Sequence, residues 1–134
     1  MGRGQRLKGA KFERDVADAF RARGIPARRG LGQARGGGAE VPDVDVELVH
    51  VECKVGARPD PWAALKQAEA DMRPDVWPVA VVRRDRHEAV VAMRLDDWLE
   101  LFAAFRAEAG ERAAVIVQVA VGAVRGRSEP ERLP

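Results

Sequence analysis

Residues 42–55 read PDVDVELVHVECKV, two runs in which polar and apolar residues alternate, one on each side of Glu47-Leu48. Alternation with a period of two is typical of β-strands that bury one face. It predicts a hairpin whose valines face a core, because successive side chains of a strand point to opposite faces. The polar side chains would share the other face: Asp43, Asp45 and Glu47 from the first strand, and His50, Glu52 and Lys54 from the second.

The register of this hairpin decides which polar side chains meet. If the two residues at its centre form a tight turn, Val44 pairs with Val51 and Asp43 lies opposite Glu52. Opposed carboxylates repel each other unless a metal ion or a proton lies between them, and Cβ atoms ~4.5–5.5 Å apart allow both to bind one Mg²⁺. Glu-Leu is not a favoured turn pair, so a longer and looser turn is the alternative.

Lys54 follows Glu52 on the same predicted face. Its ammonium could hold an attacking water there and offset the charge of a phosphate in the transition state. The alternative is a solvated face on which Glu52 and Lys54 form an ordinary surface ion pair. Cys53 lies between Val51 and Val55 and would face the core with them, so we predict a packing role for its thiol rather than a nucleophilic one.

Hydrophobic periodicity and Gly or Pro stop signals define the elements outside the hairpin. They predict helices over residues 8–23, 62–72 and 95–109, strands over 77–83, 88–93 and 113–121, and a basic glycine-rich loop over 27–40 that could begin with a short strand at 27–33. This order implies an α/β fold, a mixed central β-sheet flanked by helices. The length of 134 residues fits a single domain over residues 1–124, with residues 125–134 as a disordered tail.

Composition narrows the chemistry. The chain has no Thr, Asn or Tyr and one Ser, Ser128, so hydroxyl nucleophiles are nearly excluded and acid–base or metal-assisted reactions are favoured. A single cysteine cannot form an intramolecular disulfide or a cysteine zinc cluster, and His50 and His87, which have no partner at ligand spacing, are assigned to the surface or to structure. The sequence has no apolar run long enough to span a bilayer and no signal peptide, so we expect a cytoplasmic protein with no membrane partner.

Positive charge is concentrated near the start of the chain. Residues 1–38 contain ten Lys or Arg against three acidic residues, so they carry +7 while residues 39–134 carry −5 and the whole chain +2. This asymmetry favours a surface that binds nucleic acid, with solvated surface arginines as the alternative. The candidate DNA-binding residues are Lys8, Lys11, Arg28, Arg29, Gln33 and Arg35.

Pro42-Asp43, followed after eight residues by Glu52-Cys53-Lys54, resembles the signature of the PD-(D/E)XK nuclease superfamily. A combination of motifs in a matching structural context is more specific than a short motif alone. Within that superfamily the chain is similar to archaeal-type Holliday junction resolvases and their phage relatives, which begin with a helix like residues 8–14 and continue through a basic glycine-rich loop. The likeness covers residues 5–75, although the serine that archaeal members often carry before the aspartate is missing from residues 27–41.

The resemblance implies a restriction-endonuclease-like core with a site for one or two Mg²⁺ ions, for which Mn²⁺ would substitute. The implied metal ligands are Glu13, Asp43, Glu52 and the Cys53 carbonyl, and the implied catalytic residues are Glu13, Asp43, Glu52, Lys54 and Gln67. Gln67 would lie beside the lysine, on the helix that follows the motif.

The expected function is a Mg²⁺-dependent, structure-selective endodeoxyribonuclease that resolves four-way DNA junctions by paired nicks, in DNA recombination and repair. A two-fold symmetric substrate that needs two cuts suits a homodimer. The stripe Trp98, Phe102 and Phe105 could form its interface, although packing in a core is the more common use of such a stripe. Two alternatives stay open: a nuclease of the same fold that acts on flaps or nicks, and a non-catalytic basic DNA-binding module.

Overall fold

The chain folds into a mixed α/β structure in the computed structural model, which describes residues 2–30 and 41–127. The described elements, in chain order, are α1 (Arg3–Arg21), β1 (Ala27–Arg29), β2 (Val44–Val46), β3 (Val49–Gly56), α2 (Pro61–Asp71), β4 (Trp77–Arg84), β5 (Val90–Ala92), α3 (Leu95–Ala109), a short 3₁₀ helix (Gly110–Arg112) and α4 (Ala113–Arg127). Gln33 and Arg35, two of the candidate DNA-binding residues, lie outside the described residues.

The strands form one five-stranded sheet in the order β1-β2-β3-β4-β5. Neighbouring strands pair antiparallel except β3 and β4, which run parallel. A parallel pair requires a crossover connection, and α2 supplies it. The predicted mixed sheet accompanied by helices is therefore confirmed.

The hairpin between β2 and β3 has the register that a two-residue turn requires. Val44 pairs with Val51, which sets Asp43 opposite Glu52. Leu48 has a φ of 74°, in the left-handed region that tight turns usually fill with Gly or Asn. Its carbonyl accepts a hydrogen bond of 3.0 Å from the N–H of Trp77, which ties the turn to β4. The tight turn is thus formed, and the looser alternative is not.

The two faces of the sheet are covered by different helices. On one face, Phe12 and Val16 of α1 are buried with the inward-facing valines of β2, β3 and β4. On the other face, Leu65 of α2 is buried with Ala80 and Val82 of β4. Burial of apolar side chains is the main favourable term in folding, so the two helices fix the positions of the strands between them.

Residues 113–121 were predicted to be a strand, and this prediction is wrong, because they form the first part of the helix α4. Their alternating valines fit a strand, but a continuous apolar run is also compatible with a helix, and the intrinsic helix penalty of valine is only a fraction of ~1 kcal/mol. The helix extends over residues 125–127, the first part of the segment predicted to be disordered. Residues 128–134 lie outside the described residues.

The chain divides into two compact units, Met1–Arg94 and Leu95–Pro134. The sheet, α1 and α2 belong to the first unit, and α3 and α4 belong to the second. In α3, the rings of Trp98 and Phe102 stack with centroids 5.1 Å apart, yet these side chains are 46% and 45% exposed. Core packing, the more common use of such a stripe, therefore does not describe Trp98 and Phe102, whereas Phe105 is half-buried. Among the described helices, none combines the length and apolarity needed to cross a membrane.

Candidate active site

Asp43 immediately precedes β2 and is held by the neighbouring strand. The Cys53 N–H donates a hydrogen bond of 2.8 Å to Asp43 Oδ2. The pKa of Asp43 is raised from its usual 3.8 to about 7, chiefly by burial; the bond from Cys53 opposes the rise, and the charges of Glu52 and Glu13, with a side-chain hydrogen bond to Glu52, add to it. Burial and the neighbouring carboxylates therefore both disfavour the charged form of Asp43.

Glu52 is the most deeply buried of these carboxylates, with 7% of the residue exposed. It pairs in register with Ala80, which belongs to the face that α2 covers. Its Oε1 lies 3.4 Å from Nε2 of His50, which is itself only 4% exposed. His50 is thus a structural neighbour of Glu52 rather than a surface residue. The signal for this contact in the sequence was their spacing of two along one strand.

Glu13 reaches the same region from α1. Arg29, the last residue of β1, donates a hydrogen bond of 2.6 Å from its Nε to Glu13 Oε2. The two side chains are 36% and 19% exposed, so this ion pair is more shielded from water than an ordinary surface pair. Arg29 was predicted to bind DNA, and the structure places it directly on a candidate metal ligand.

A single cleft of ≈ 690 Å³ is lined by Glu13, Arg29, Asp43 and Glu52. Lys54 contributes to the same lining, so the structure brings Glu13, Asp43, Glu52 and Lys54 together as the sequence motif implied. Within the described residues, no group of three or more His, Cys, Asp or Glu side chains is already arranged to hold a metal ion. The donors are nevertheless all carboxylate oxygens, which is the chemistry that Mg²⁺ and Mn²⁺ prefer.

Cys53 also lines this cleft, and its backbone N–H is hydrogen-bonded to Asp43. Burial, with the charges of Asp43, Glu13 and Glu52, raises the pKa of the thiol well above its usual range. The side chain packs against the core formed under α1. A thiol held in its neutral form is a poor nucleophile and a poor metal ligand, which supports the predicted packing role.

Gln67 does not join the other candidate residues. It lies exposed on α2 and donates a hydrogen bond to Asp71, one helical turn later. It is not among the residues that line the cleft in the described part of the chain. The likeness in sequence placed Gln67 beside Lys54, but the helix turns it toward a partner on its own surface.

The predicted basic residues separate into two groups. Lys8 lines the cleft, where it forms an ion pair with Asp85, and Arg29 lines it beside Glu13. Lys11 pairs with Asp15 at 2.8 Å on the exposed side of α1, and Arg28 pairs with Asp45 at 3.2 Å. Neither of the latter two lines the cleft.

Arg6 is a cleft residue that the sequence analysis missed. The helix was predicted to begin at Lys8, whereas α1 begins at Arg3, so the earlier arginines were not assigned to a helix face. The charge of residues 1–38 was the available signal, since Arg6 was counted in it but not singled out.

Comparison with known proteins identifies no relative of this chain. No protein-family model matches it, and neither a curated protein nor a solved structure is significantly similar to it. A function must therefore be argued from the cleft residues themselves.

Proposed function

We propose that the chain is a Mg²⁺-dependent endodeoxyribonuclease of the PD-(D/E)XK type, with a restriction-endonuclease-like core. The observation that carries this proposal is the convergence of Glu13, Asp43 and Glu52, from three different elements, on one cleft that also contains Lys54. The raised pKa of Asp43 supports it, because a bound divalent cation would stabilise the charged form of a carboxylate that burial and its neighbours disfavour.

The cation would be held by Glu13, Asp43, Glu52 and the Cys53 carbonyl, with Mn²⁺ able to replace Mg²⁺. When bound, it would lower the pKa of a coordinated water and offset charge on the phosphate. Each carboxylate has a polar group of the chain beside one of its oxygens: Asp43 accepts a hydrogen bond from the Cys53 N–H, Glu13 accepts one from Arg29, and Nε2 of His50 lies 3.4 Å from Oε1 of Glu52. Such partners restrict the orientation of metal ligands.

The other charged side chains of the cleft have roles that follow from their chemistry. Lys54 would orient the attacking water and stabilise the charge that develops on the phosphate, since it is an exposed residue that lines the same cleft as Glu52. Arg6 and Lys8 would bind phosphates of the DNA backbone. The products would have 5′-phosphate and 3′-hydroxyl ends.

The preferred substrate in this proposal is a four-way DNA junction, cut by paired nicks in the cytoplasm by a homodimer that serves recombination and repair. A dimer would present two clefts related by a two-fold axis, which matches the symmetry of a junction. The exposed apolar side chains of α3 offer a candidate dimer surface, because large exposed apolar patches commonly mark interaction sites.

One observation favours a second function, a basic DNA-binding module without catalysis. The described residues show no ready-made metal cluster, and a module of this kind would need none. It would bind DNA equally well with and without a divalent cation. A nuclease of the same fold that acts on flaps or nicks is the other alternative, and the cleft geometry is the same for both nucleases.

The deciding experiment incubates the protein with labelled four-way junction, flap, nicked duplex, linear duplex and single strand, in Mg²⁺ or in EDTA. We expect cleavage of the junction in Mg²⁺ alone. Asp43→Asn should lower its rate on the order of a thousandfold while DNA binding persists, because the change removes a metal-binding charge and keeps the shape. Asp45→Asn is the matched control, since Asp45 pairs with Arg28 outside the cleft.

Cleavage by Asp43→Asn at the rate of the unchanged protein would remove the metal-site proposal, and binding without cleavage in every condition would favour the module. Lys54→Ala adds a second comparison. It should lower the cleavage rate about a hundredfold and leave DNA affinity nearly unchanged, because its proposed role is in the transition state. Lys66→Ala, at an exposed lysine of α2, is its control.

A further inference from the structure

We propose that Arg29 is an internal counter-ion of the metal site: it holds Glu13 in the metal-free protein and is released to a DNA phosphate when a divalent cation takes Glu13. This inference rests on the proposed function and adds a coupling between cation binding and DNA binding. Arg29 would bind either Glu13 or a DNA phosphate, depending on whether the cation is present, rather than DNA alone.

The geometry of β1 distinguishes Arg29 from its neighbour. Arg28 and Arg29 are adjacent on a strand, so their side chains point to opposite faces of the sheet. Arg28 is 80% exposed and lies 3.2 Å from Asp45. Arg29 lies 2.6 Å from Glu13, among residues that line the cleft. The contrast shows that only the second arginine is placed to affect the three carboxylates.

The charges of the cleft explain why an arginine is held there. Glu13, Asp43 and Glu52 repel one another, and within the described residues Arg29 is the Lys or Arg that forms an ion pair with one of them. A guanidinium remains protonated at all working pH values, so in the metal-free protein it balances part of this charge whatever the pH. In the metal-free protein, Arg29 therefore offsets part of the negative charge that a bound divalent cation would offset.

A divalent cation and Arg29 compete for the same carboxylate. The guanidinium engages Oε2 of Glu13, and its positive charge opposes the approach of another cation. A bound cation would weaken the hold of Glu13 on Arg29 in turn, because coupling between two binding events is reciprocal. A released guanidinium is well suited to a phosphate, which it can bind through two parallel hydrogen bonds.

The exchange requires movement of the Arg29 side chain and not of the backbone. The next residue, Gly30, donates a hydrogen bond of 2.9 Å to the Asp43 carbonyl, and a Cβ at Gly30 would overlap the carbonyl oxygen of Pro42. The end of β1 is thus fixed against the segment that carries Asp43. A long side chain on a fixed backbone can change partners while the other ligands stay in place.

The first test is titration of Mn²⁺ into the full chain by calorimetry, without DNA. Arg29→Ala should bind Mn²⁺ about tenfold more tightly than the unchanged protein, because a competing positive charge is removed. Arg29→Gln, which keeps a hydrogen-bond donor without the charge, should show a similar gain. Arg29→Lys, which keeps the charge, should gain much less. Arg28→Ala should leave the affinity unchanged.

The second test is the salt dependence of junction binding, measured with Ca²⁺ and with EDTA. In Ca²⁺, Arg29→Ala should lower the slope of log affinity against log salt by ~0.9, the value of one lost phosphate contact on duplex DNA. In EDTA the same substitution should leave the slope unchanged, because Arg29 is then bound to Glu13. A merely structural role of Arg29 would change both slopes or neither.

The outcomes separate this inference from the function on which it rests. If the unchanged protein binds Mn²⁺ and Asp43→Asn loses it, the metal site stands. An unchanged or weaker Mn²⁺ affinity in both Arg29→Ala and Arg29→Gln would then overturn the counter-ion role alone. If the unchanged protein binds no Mn²⁺, or if Asp43→Asn binds it equally well, both proposals fall.

Discussion

The first and second units bury their side chains in opposite ways. In the first unit even charged residues are enclosed, as Glu52 shows with only 7% of its surface exposed, and each cleft carboxylate has a polar partner beside it. In the second unit no residue between 95 and 126 is buried, although α4 consists almost entirely of apolar residues up to Val124. Enclosed charged groups are common at functional sites, whereas exposed apolar surface commonly marks a site of interaction with another molecule.

The largest difference between the units is expected in the free energy of unfolding, when a glycine is replaced by alanine in each of them. At Gly30 an added Cβ would overlap the Pro42 carbonyl oxygen, so the backbone beside Asp43 must shift. At Gly122 of α4 the same Cβ meets nothing within 4 Å. We expect Gly30→Ala to lower the free energy of unfolding by about 1–3 kcal/mol, and Gly122→Ala to raise it by about 0.5–1 kcal/mol.

Denaturant unfolding of both variants measures this contrast, and Mn²⁺ affinity adds a second readout. Gly30→Ala should also weaken Mn²⁺ binding, because Asp43 moves with Pro42, while Gly122→Ala should leave it unchanged. Equal effects of the two substitutions on stability would show that the close approach at Gly30 does not exist in solution.

A second contrast concerns pH, because the cleft carboxylates should make the first unit sensitive to it. The folded-state pKa of Asp43, about 7, lies above its ordinary 3.8. The stability contributed by its proton is therefore fully present below pH 3.8 and is lost as the pH rises through about 7. In EDTA, the free energy of unfolding should fall across this window, and Mg²⁺ should restore it above pH 7.

Thermal melts of the unchanged protein and of Asp43→Asn, from pH 4 to pH 8, isolate this contribution. At pH 8 in EDTA, Asp43→Asn should melt on the order of 5 °C higher than the unchanged protein, with no such difference at pH 4. Asp45→Asn should follow the unchanged protein throughout. If Asp43→Asn melted lower at pH 8, the carboxylates would not be crowded in the folded state.

The second unit can be tested through the stacked pair of α3. If a second copy covers the exposed side chains of Trp98 and Phe102, replacing both by Ala should halve the mass of the particle in solution. Mn²⁺ affinity should change by less than about twofold, because the proposed metal ligands belong to the first unit. Light scattering and calorimetry give the two measurements. A protein that is monomeric before substitution would refute the homodimer.

The same difference between the units explains how much the sequence could predict. The strands around Glu47 were predictable because their alternation has one register in which every valine faces the core, and Asp43 then lies opposite Glu52. In the run from Ala113 the valines alternate with residues that are also apolar except Gln118, so no alternation of polar with apolar residues separates strand from helix. Regular alternation constrained the first unit, and its absence left the second undetermined.

Within the cleft, the residue types were predictable but their partners were not. Asp43, Glu52 and Lys54 belong to one local motif, whose geometry follows from the hairpin. The pairing of Arg29 with Glu13 depends on how α1 packs against β1, and no local pattern encodes that packing. The exposed position of Gln67 was likewise set by the rotation of α2 about its axis.

The smallest predicted effect concerns the turn that fixes the register of the hairpin. Leu48 has a φ of 74°, and its side chain is 66% exposed, so it carries backbone strain with little compensating burial. The left-handed region costs an L-residue about 1–2 kcal/mol, and glycine avoids this cost. Glycine also makes the unfolded chain more flexible, which offsets part of the gain in stability. Leu48→Gly should therefore raise the free energy of unfolding by about 0.5 kcal/mol.

Leu7→Gly is the matched control, because Leu7 is 59% exposed in the helix α1, where glycine should instead lower the free energy of unfolding by about 1 kcal/mol. Urea unfolding of the two variants gives the comparison, and a loss of stability in Leu48→Gly as large as that in Leu7→Gly would mean that the turn at Leu48 is looser than the register of Val44 with Val51 requires.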